Sequence, residues 1–307
     1  MIAPDAEPNL WGQAACRLQL PSRELSFPRR PLVMGIININ PDSFSGDGTL
    51  DIQEAMMRAK NMVSEGADII DVGGESARTN RSAVSEAEEI RRVQPFLEVW
   101  KSTLFHPKDQ EQVFPPILSL NTWRPGVMKE LLPCGVEMLN DMSGLPNSEP
   151  AGLAAKHRTS LLIMHSVGEP KVSHEHVEYR DVVAEVLQFF KGRHQLALQS
   201  GCVEDQLIFD PGIDFAKQQV HNLALMRRAD DLSALGRPVL WPISRKRIIK
   251  ETLDRPEHLQ RDAGTIGTLL WLAQHGASIF RMHNVKAAYQ ALRVLEPLMS
   301  SSLDRHS

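Results

Sequence analysis

Polar or charged side chains stand directly after each of eight short apolar segments. They are Asn38, Glu75 with Arg78, Asn121, Asn140 with Asp141, His165, Asp210, Ser244 with Arg245 and Lys246, and Arg281 with His283. Taken singly, such residues often serve as helix caps or turn residues, and a lone histidine is often a core residue. Helix N-termini favour acidic groups, so the adjacent cations Arg245 and Lys246 indicate a ligand that is negative or accepts hydrogen bonds. Capping does not account for all eight positions, and the set therefore predicts a ligand-binding site.

Each apolar segment is followed by a longer amphipathic one, and this alternation occurs eight times. PLVMGII precedes DIQEAMMRAKNMVSEG, for example, and PPILSL precedes RPGVMKELLPCG. Several of the amphipathic segments end in a glycine suited to a left-handed helix C-terminus: Gly66, Gly135, Gly201, Gly236 and Gly276. Eight strand-helix units predict the α/β class and a (β/α)8 TIM barrel. Such a barrel brings the carboxyl ends of its strands to one mouth, where active sites lie.

We expect a single domain with an N-terminal extension. The extension covers residues 1–26, the barrel covers residues 27–300, and residues 301–307 form a C-terminal tail. The segment KSTLFHPKDQEQVF is predicted to be an insertion after the second helix. Neither the extension nor the insertion carries a motif, so the function is expected to reside in the barrel.

Composition excludes several classes of partner. The chain has 307 residues, 42% of them hydrophobic, and a formal net charge of −4. Nucleic acids and anionic membranes normally require a basic surface, so neither is expected as a partner. The cysteines, Cys16, Cys134 and Cys202, lie far apart and lack a metal-binding spacing. No apolar run approaches a membrane span, and the first residues are too polar for a signal peptide. A cytoplasmic protein is therefore expected.

The strand-end motifs resemble those of one enzyme family, the dihydropteroate synthases, which are the pterin-binding barrels of folate biosynthesis. The resemblance runs in unbroken order from about Pro31 to Val285 and rests on VMGIININPDSFSGDG, GADIIDVGGESAR, LNDMSG, LLIMH, IFDPGIDFAK, SRK and FRMH. NPDSF together with GGES is highly specific, whereas DPG or SRK alone is weak. The resemblance implies condensation of 6-hydroxymethyl-7,8-dihydropterin pyrophosphate with 4-aminobenzoate and release of pyrophosphate. It also implies Mg²⁺ as cofactor and a homodimer formed through the last helices.

Roles for individual pterin-binding residues are implied by the same resemblance. The pterin is a flat heterocycle with a donor-rich edge, which a buried carboxylate and amides can recognise. Asp210 would accept hydrogen bonds from the ring, and Lys246 would donate to its carbonyl oxygen and a ring nitrogen. The full set implied for the pterin is Asn140, Asp210, Lys246 and Phe215.

The resemblance implies a second set of residues, which binds the leaving pyrophosphate. Negative charge builds on the pyrophosphate as the carbon-oxygen bond breaks, so cations and a metal ion are needed there. Arg281 and His283 would hold the anion together with Asn38, and Asn38 would also be an oxygen ligand of Mg²⁺. The residues implied for catalysis are Asn121, Arg78 and Lys246, with Arg78 on the loop that closes over the second substrate.

Two departures from the family pattern concern the second substrate and the chemical step. Residues 76–80 read Ser-Ala-Arg-Thr-Asn, whereas the family commonly has Ser-Thr-Arg-Pro-Gly, and Asn121 stands where the family has aspartate. In the family this aspartate lies close to the pterin and its exocyclic carbon, where positive charge develops. Asn121 could instead cap the helix that begins at TWRPG. The pterin-binding half of the motif set is intact, and the other half is altered.

These residues are compatible with three functions. The first is a dihydropteroate synthase that uses 4-aminobenzoate or a variant amine. The second is a pterin or folate barrel with another reaction, such as a different amine nucleophile or one-carbon transfer from a reduced folate. The third is a non-catalytic pterin binder.

Overall fold

The computed structural model describes residues 9–41, 48–75, 82–172 and 177–300. The strands are β1 (Cys16–Gln19), β2 (Glu24–Phe27), β3 (Leu32–Asn38), β4 (Ile69–Gly73), β5 (Ile117–Asn121), β6 (Met138–Asp141), β7 (Ser160–Met164), β8 (Leu207–Asp210), β9 (Leu240–Trp241) and β10 (Ile279–Met282). The helices are α1 (Ile52–Ser64), α2 (Glu86–Ser102), α3 (Pro125–Leu131), α4 (Glu149–His157), α5 (Val182–Gln199), α6 (Gln219–Arg227), α7 (Ala229–Ser233), α8 (Arg247–Leu253), α9 (Asp262–Ala273) and α10 (Val285–Met299). Among these helices, none has the length and hydrophobicity needed to cross a membrane.

Strands β3 to β10 form a parallel barrel with the helices on its outside. Their order is β8-β7-β6-β5-β4-β3-β10-β9. The first barrel strand, β3, pairs with both β4 and β10, so the two ends of the barrel sequence are neighbours. A parallel bridge between Phe209 and Val239 joins β8 to the segment before β9 and completes the ring. The predicted (β/α)8 TIM barrel is confirmed.

The strands are apolar because both of their faces are covered. Helices cover the outer face of a parallel barrel, and side chains fill its interior. Accordingly β4 and β5 are buried along their whole length. The predicted helix-terminal glycines all have positive φ, between 74° and 111°. At Gly66 a Cβ would also lie 2.2 Å from the ring of Tyr289, so both backbone and space require glycine.

A two-stranded antiparallel hairpin, β1-β2, covers the amino end of the barrel. Its apolar residues Leu18, Leu25 and Phe27 share a core cluster with the first residues of several barrel strands: Leu32, Ile69, Ile117, Met138, Leu240 and Ile279. The hydroxyl of Ser160, at the start of β7, donates to the backbone oxygen of Gln19 at 2.6 Å. The hairpin spans the predicted boundary at residue 27, and that boundary stays a prediction.

Replacement of Leu18 by alanine should destabilise the whole barrel, because this side chain is fully buried in the cluster under the strands. We expect Leu18→Ala to lower the free energy of unfolding by about 2 to 4 kcal/mol in urea denaturation. The matched control is Leu104→Ala, since Leu104 is 80% exposed, and its effect should stay within about 0.5 kcal/mol. Equal effects for the two variants would mean that the hairpin is not part of the barrel core.

Candidate active site at the barrel mouth

A buried carboxylate, Asp71, organises the interior of the barrel below its mouth. Asp71 lies in β4, is 0% exposed, and forms hydrogen bonds with side chains from three other strands. Its Oδ1 accepts from the hydroxyl of Ser119 at 2.6 Å. Its Oδ2 accepts from the Nδ2 atoms of Asn121 and Asn140, each at 3.1 Å, and from Nε of Arg281 at 2.8 Å. A buried charge is tolerated only when it is paired and hydrogen-bonded in this way.

Strand register explains why these side chains meet. Asp71 pairs with Ser119 across β4 and β5, and Asn121 pairs with Asn140 across β5 and β6. Gly73 lies beside Asn121 on the neighbouring strand, where a Cβ would be 3.3 Å from Asn121 Cβ. Because both amides donate their NH2 groups to Asp71, their carbonyl oxygens are left to accept hydrogen bonds at the mouth.

A second carboxylate, Asp210, ends β8 on another side of the mouth. It is 4% exposed, and burial raises its pKa to about 6. The backbone N–H of Gly212, at 2.7 Å from Oδ1, and the charges of Lys246, Lys217 and Arg281 act in the opposite direction on this pKa. At neutral pH Asp210 is therefore mostly ionised and can accept hydrogen bonds.

Lys246 and Phe215 lie together next to Asp210. The Nζ atom of Lys246 is 4.7 Å from the centroid of the Phe215 ring, in a cation-π arrangement. Lys246 immediately precedes α8, and Phe215 lies in the loop between β8 and α6. A flat ring and a cation thus border a buried carboxylate, which is an arrangement suited to a planar ligand with hydrogen-bond donors on one edge.

His283 lies just after β10 and is fixed by Ser244. The Oγ atom of Ser244 is 2.8 Å from Nδ1 of His283, and the backbone N–H of His283 donates to the same oxygen at 3.0 Å. Asn38 ends β3, the strand that pairs with β10, and is partly exposed. The strand ends that carry Arg281, His283 and Asn38 are therefore neighbours.

Three strand-end residues singled out in the sequence have structural partners. Arg245 makes a two-pronged ion pair with Asp262, at 2.7 and 2.9 Å. Glu75 pairs with Arg124 and with Lys171, the latter at 2.9 Å. The carboxylate of Asp141 accepts from Ser143 and from the N–H of Leu145, which holds the turn after β6. Arg78, with the altered positions 76–80, lies outside the described residues.

The alternative in which Asn121 caps a helix is wrong. Helix α3 begins at Pro125, its N-cap residue is Arg124, and no side chain makes a capping hydrogen bond there. Asn121 is instead the last residue of β5 and donates to Asp71. Ser244 likewise does not cap α8, whose N-cap residue is Lys246.

Two buried ionisable residues, Asp71 and Lys217, were not predicted from the sequence. Asp71 could have been found as a carboxylate inside the apolar run ADIIDVG, because a buried strand position tolerates a charge only with partners. Lys217 is 2% exposed and follows the DPG motif closely. Its burial could not be inferred from the sequence, since lysine in a loop is usually solvated.

Comparison with known proteins identifies the family. Residues 34–283 match the family described as pterin binding enzyme. The dihydropteroate synthase of Synechocystis is 37% identical over 272 residues, which cover 88% of this chain and 91% of that protein. The chain belongs to the dihydropteroate synthase family. The Escherichia coli dihydropteroate synthase is 36% identical, over 91% of this chain and 95% of that protein.

Solved dihydropteroate synthase structures have the same fold. The Xanthomonas albilineans enzyme with 4-aminobenzoic acid superposes with a TM-score of 0.81 at 35% identity, covering 93% of this chain and 99% of that one. The Thermus thermophilus enzyme in complex with 6HMPPP gives a TM-score of 0.76 at 36% identity, with 92% and 99% coverage. The resemblance to dihydropteroate synthases drawn from the motifs is thereby confirmed.

Replacement of Asp71 by asparagine should be strongly destabilising, because it leaves the Arg281 cation without its carboxylate and brings an NH2 group against donors. We expect Asp71→Asn to lower the free energy of unfolding by about 3 kcal/mol. Asp230→Asn is the matched control, since Asp230 has a side chain that is 62% exposed and pairs with His275. Its effect should stay within about 0.5 kcal/mol in the same denaturant titration. Comparable losses in the two variants would contradict the organising role of Asp71.

Proposed function

We propose that this protein is a dihydropteroate synthase-type transferase. It condenses 6-hydroxymethyl-7,8-dihydropterin pyrophosphate with an arylamine, either 4-aminobenzoate or a variant amine, and releases pyrophosphate. The observation that carries the proposal is the convergence at one barrel mouth of Asp210 with Lys246 and Phe215 on one side, and the Asp71-held group on the other. The first group suits a pterin ring, and the second contributes amide oxygens and a guanidinium.

Pterin recognition is proposed to fall to Asp210, Lys246, Asn140 and Phe215. The ionised carboxylate of Asp210 accepts from the ring amino and N–H groups, in charge-assisted hydrogen bonds. Lys246 donates to the ring carbonyl, and Phe215 contacts the flat face. The support for Asn140 is its amide orientation, since Asp71 takes its NH2 group and leaves its oxygen as an acceptor.

Pyrophosphate is proposed to bind near Arg281, His283 and Asn38. Nε of Arg281 donates to Asp71, and the side chain is 23% exposed, so the remaining N–H groups of the guanidinium can bind an anion. Arginine suits this role because its fork matches phosphate oxygens. A guanidinium anchored in this way stabilises charge on the departing group without having to reorganise.

Mg²⁺ is proposed as the cofactor, with the amide oxygen of Asn38 as its protein ligand. In the described parts of the chain no three His, Cys, Asp or Glu side chains come together as a metal site. Asn38 fits magnesium nonetheless, because this hard cation commonly takes few protein oxygens and completes its shell with water and phosphate. When bound, Mg²⁺ would neutralise charge on the pyrophosphate.

Lys246, Asn121 and Arg78 are proposed to act in the chemical step. Lys246 is a cation at the pterin edge, and Arg78 would reach the second substrate from its loop. At Asn121 a full negative charge about 4 Å from the developing cation would contribute roughly 4 kcal/mol at an effective dielectric near 20. An amide retains only a dipole, so we take about half of this to be lost, which corresponds to a roughly thirty-fold slower ionisation step.

Asn121 also favours a second candidate function, in which the pterin pocket serves another reaction. That reaction would use another amine nucleophile, or one-carbon transfer from a reduced folate. If catalysis were lost altogether, the protein would be a non-catalytic pterin binder. Asn121 still donates to Asp71 at 3.1 Å, so the pocket geometry does not depend on a carboxylate at this position.

A cytoplasmic location and a homodimer complete the proposal. Cys16, Cys134 and Cys202 all carry free thiols, which suits a reducing compartment. Trp271 on α9 and Val294 and Leu298 on α10 are 49%, 62% and 76% exposed. These two helices pack against each other, and exposed apolar side chains on adjacent helices are suited to a subunit interface.

The amine specificity can be measured directly. Purified protein, Mg²⁺ and the pterin pyrophosphate are offered 4-aminobenzoate and a panel of other amines, and pyrophosphate release is followed. We expect release that depends on an arylamine, with slow turnover of 4-aminobenzoate because residue 121 lacks a carboxylate. If no amine stimulates release while pteroic acid binds tightly, the transferase proposal fails and the pterin-binder alternative stands.

Asn121→Asp should raise turnover with 4-aminobenzoate at least several-fold. The upper limit is roughly thirty-fold, which is the whole deficit attributed to the missing carboxylate. The new carboxylate would face that of Asp71, and repulsion between the like charges disfavours ionisation of the new group, so the gain should grow with pH. The matched control is Asn140→Asp, which places a carboxylate against the same Asp71 oxygen but at the pterin edge, and it should give no gain. Natural turnover equal to that of a typical synthase would refute the carboxylate argument.

The proposed dimer can be tested by light scattering at micromolar concentration. We expect a dimer for the natural chain and a monomer for the double variant Val294→Asp with Leu298→Asp, because buried charges would oppose association. The control Val220→Asp alters a residue on α6 that is 63% exposed, and it should remain dimeric. A monomeric natural chain would remove the proposal.

A further inference from the structure

The loop between β8 and α6 is backbone-strained and carries part of the proposed pterin site. Gly212, Asp214 and Ala216 all have left-handed backbones, with φ of 67°, 68° and 52°. For aspartate and alanine this conformation is unfavourable and persists only where the surroundings hold it. Phe215 lies between the two strained residues, so the position of its ring depends on whatever fixes the loop.

One side of this loop is held by Asn222 of α6. The backbone N–H of Asp214 donates to Oδ1 of Asn222 at 3.1 Å, and Nδ2 of Asn222 donates back to Asp214 at 2.9 Å. The N–H of Arg247 also donates to the Asp214 carboxylate. These contacts fix Asp214 but do not reach the carbonyl groups on the inner side of the loop.

The inner side is held by the buried ammonium of Lys217. Its Nζ lies 3.1 Å from the carbonyl oxygens of both Gly212 and Phe215, and 2.9 Å from Nδ1 of His165. Three acceptors thus surround a group that has three N–H donors and, when charged, no lone pair. The lysine closes its own loop and ties it to the end of β7.

This geometry determines the tautomer of His165. A charged ammonium can only donate, so Nδ1 of His165 must accept and the ring proton must be on Nε2. Burial and the Lys217 charge lower the pKa of His165 to about 3, which keeps the ring neutral. The ring is packed against Phe189, with centroids 4.8 Å apart.

The charged groups around Lys217 have opposing effects on its protonation. Burial and the neighbouring Lys246 lower its pKa, whereas Asp210 and Asp214 raise it, and the result is a pKa of about 7. His165 faces the ammonium as a neutral ring. The ammonium form of Lys217 therefore predominates at pH 6. In this form its three N–H donors need the three acceptors that surround them.

We infer that Lys217 is a positioning residue for the pterin site. Its ammonium holds the strained loop so that Phe215 and Asp210 face the ligand, and it fixes His165 as the Nε2-protonated tautomer. The pterin part of this inference rests on the proposed function, whereas the loop and tautomer parts do not. Lys217 is 2% exposed, and its role in this inference is exerted through Gly212, Phe215 and His165.

Nitrogen NMR of His165 at pH 6 tests the inference without any ligand. We expect an unprotonated Nδ1 and a protonated Nε2 in the natural protein, with the signals assigned by comparison with His165→Gln. Nδ1 protonation at this pH would overturn the assignment. This measurement tests the tautomer part of the inference even if variants at position 217 do not fold.

Lys217→Met tests the loop. Methionine fills a similar volume without donors, so the backbone amides of residues 212–217 should exchange with solvent faster than in the natural chain. Affinity for pteroic acid, measured by calorimetry, should fall by at least about tenfold, because charge-assisted hydrogen bonds are lost. The matched control Lys250→Met removes an exposed lysine of α8 and should change neither quantity.

The two proposals fail in different ways. If the natural protein binds no pteroic acid, the proposed function falls, while the tautomer and the amide exchange still decide the role of Lys217. If Lys217→Met folds, keeps the exchange rates of the natural chain and binds pteroic acid equally well, Lys217 is not a positioning residue.

Discussion

The buried carboxylate of Asp71, paired with Arg281, is the constraint on which the architecture of the mouth depends. A charge that is fully buried in the barrel must be matched by donors, since its desolvation would otherwise be prohibitive. The donors come from β5, β6 and β10, and the two amides and the guanidinium among them keep further polar atoms that Asp71 does not use. One carboxylate in the interior therefore sets the orientation of two amides and one guanidinium before any ligand arrives.

The two sides of the mouth differ in how their charges are balanced. On one side Arg281 is neutralised by Asp71, and on the other Lys246 and Lys217 surround Asp210, whose pKa is raised to about 6 by burial. An acid at position 121, as in the family pattern, would add a negative charge next to Asp71. We expect asparagine at this position to leave the local cations less fully compensated, which would favour retention of an anion over stabilisation of a developing cation.

Much of the fold could be predicted from the sequence because its signals are local. Alternation of apolar and amphipathic segments, and glycines such as Gly66 at helix ends, depend only on neighbouring residues. The strand ends were predicted as the site for the same reason. What each side chain contacts could not be predicted, because Asp71 and Arg281 are 210 residues apart and meet only through the register of the barrel. The same limit explains why Asn121 was open to a capping role and why Arg245 was grouped with Lys246 although it pairs with Asp262.

The hairpin beneath the barrel separates stability from function, two requirements that compete in many enzymes. Its apolar residues add packing to the amino ends of the strands, whereas Asp210 ends its strand at the mouth. Substitutions in the exposed loops of the mouth therefore draw little on the packing that the hairpin adds to the barrel. A lineage with this arrangement can change the amine it uses, step by step, while each intermediate protein remains folded.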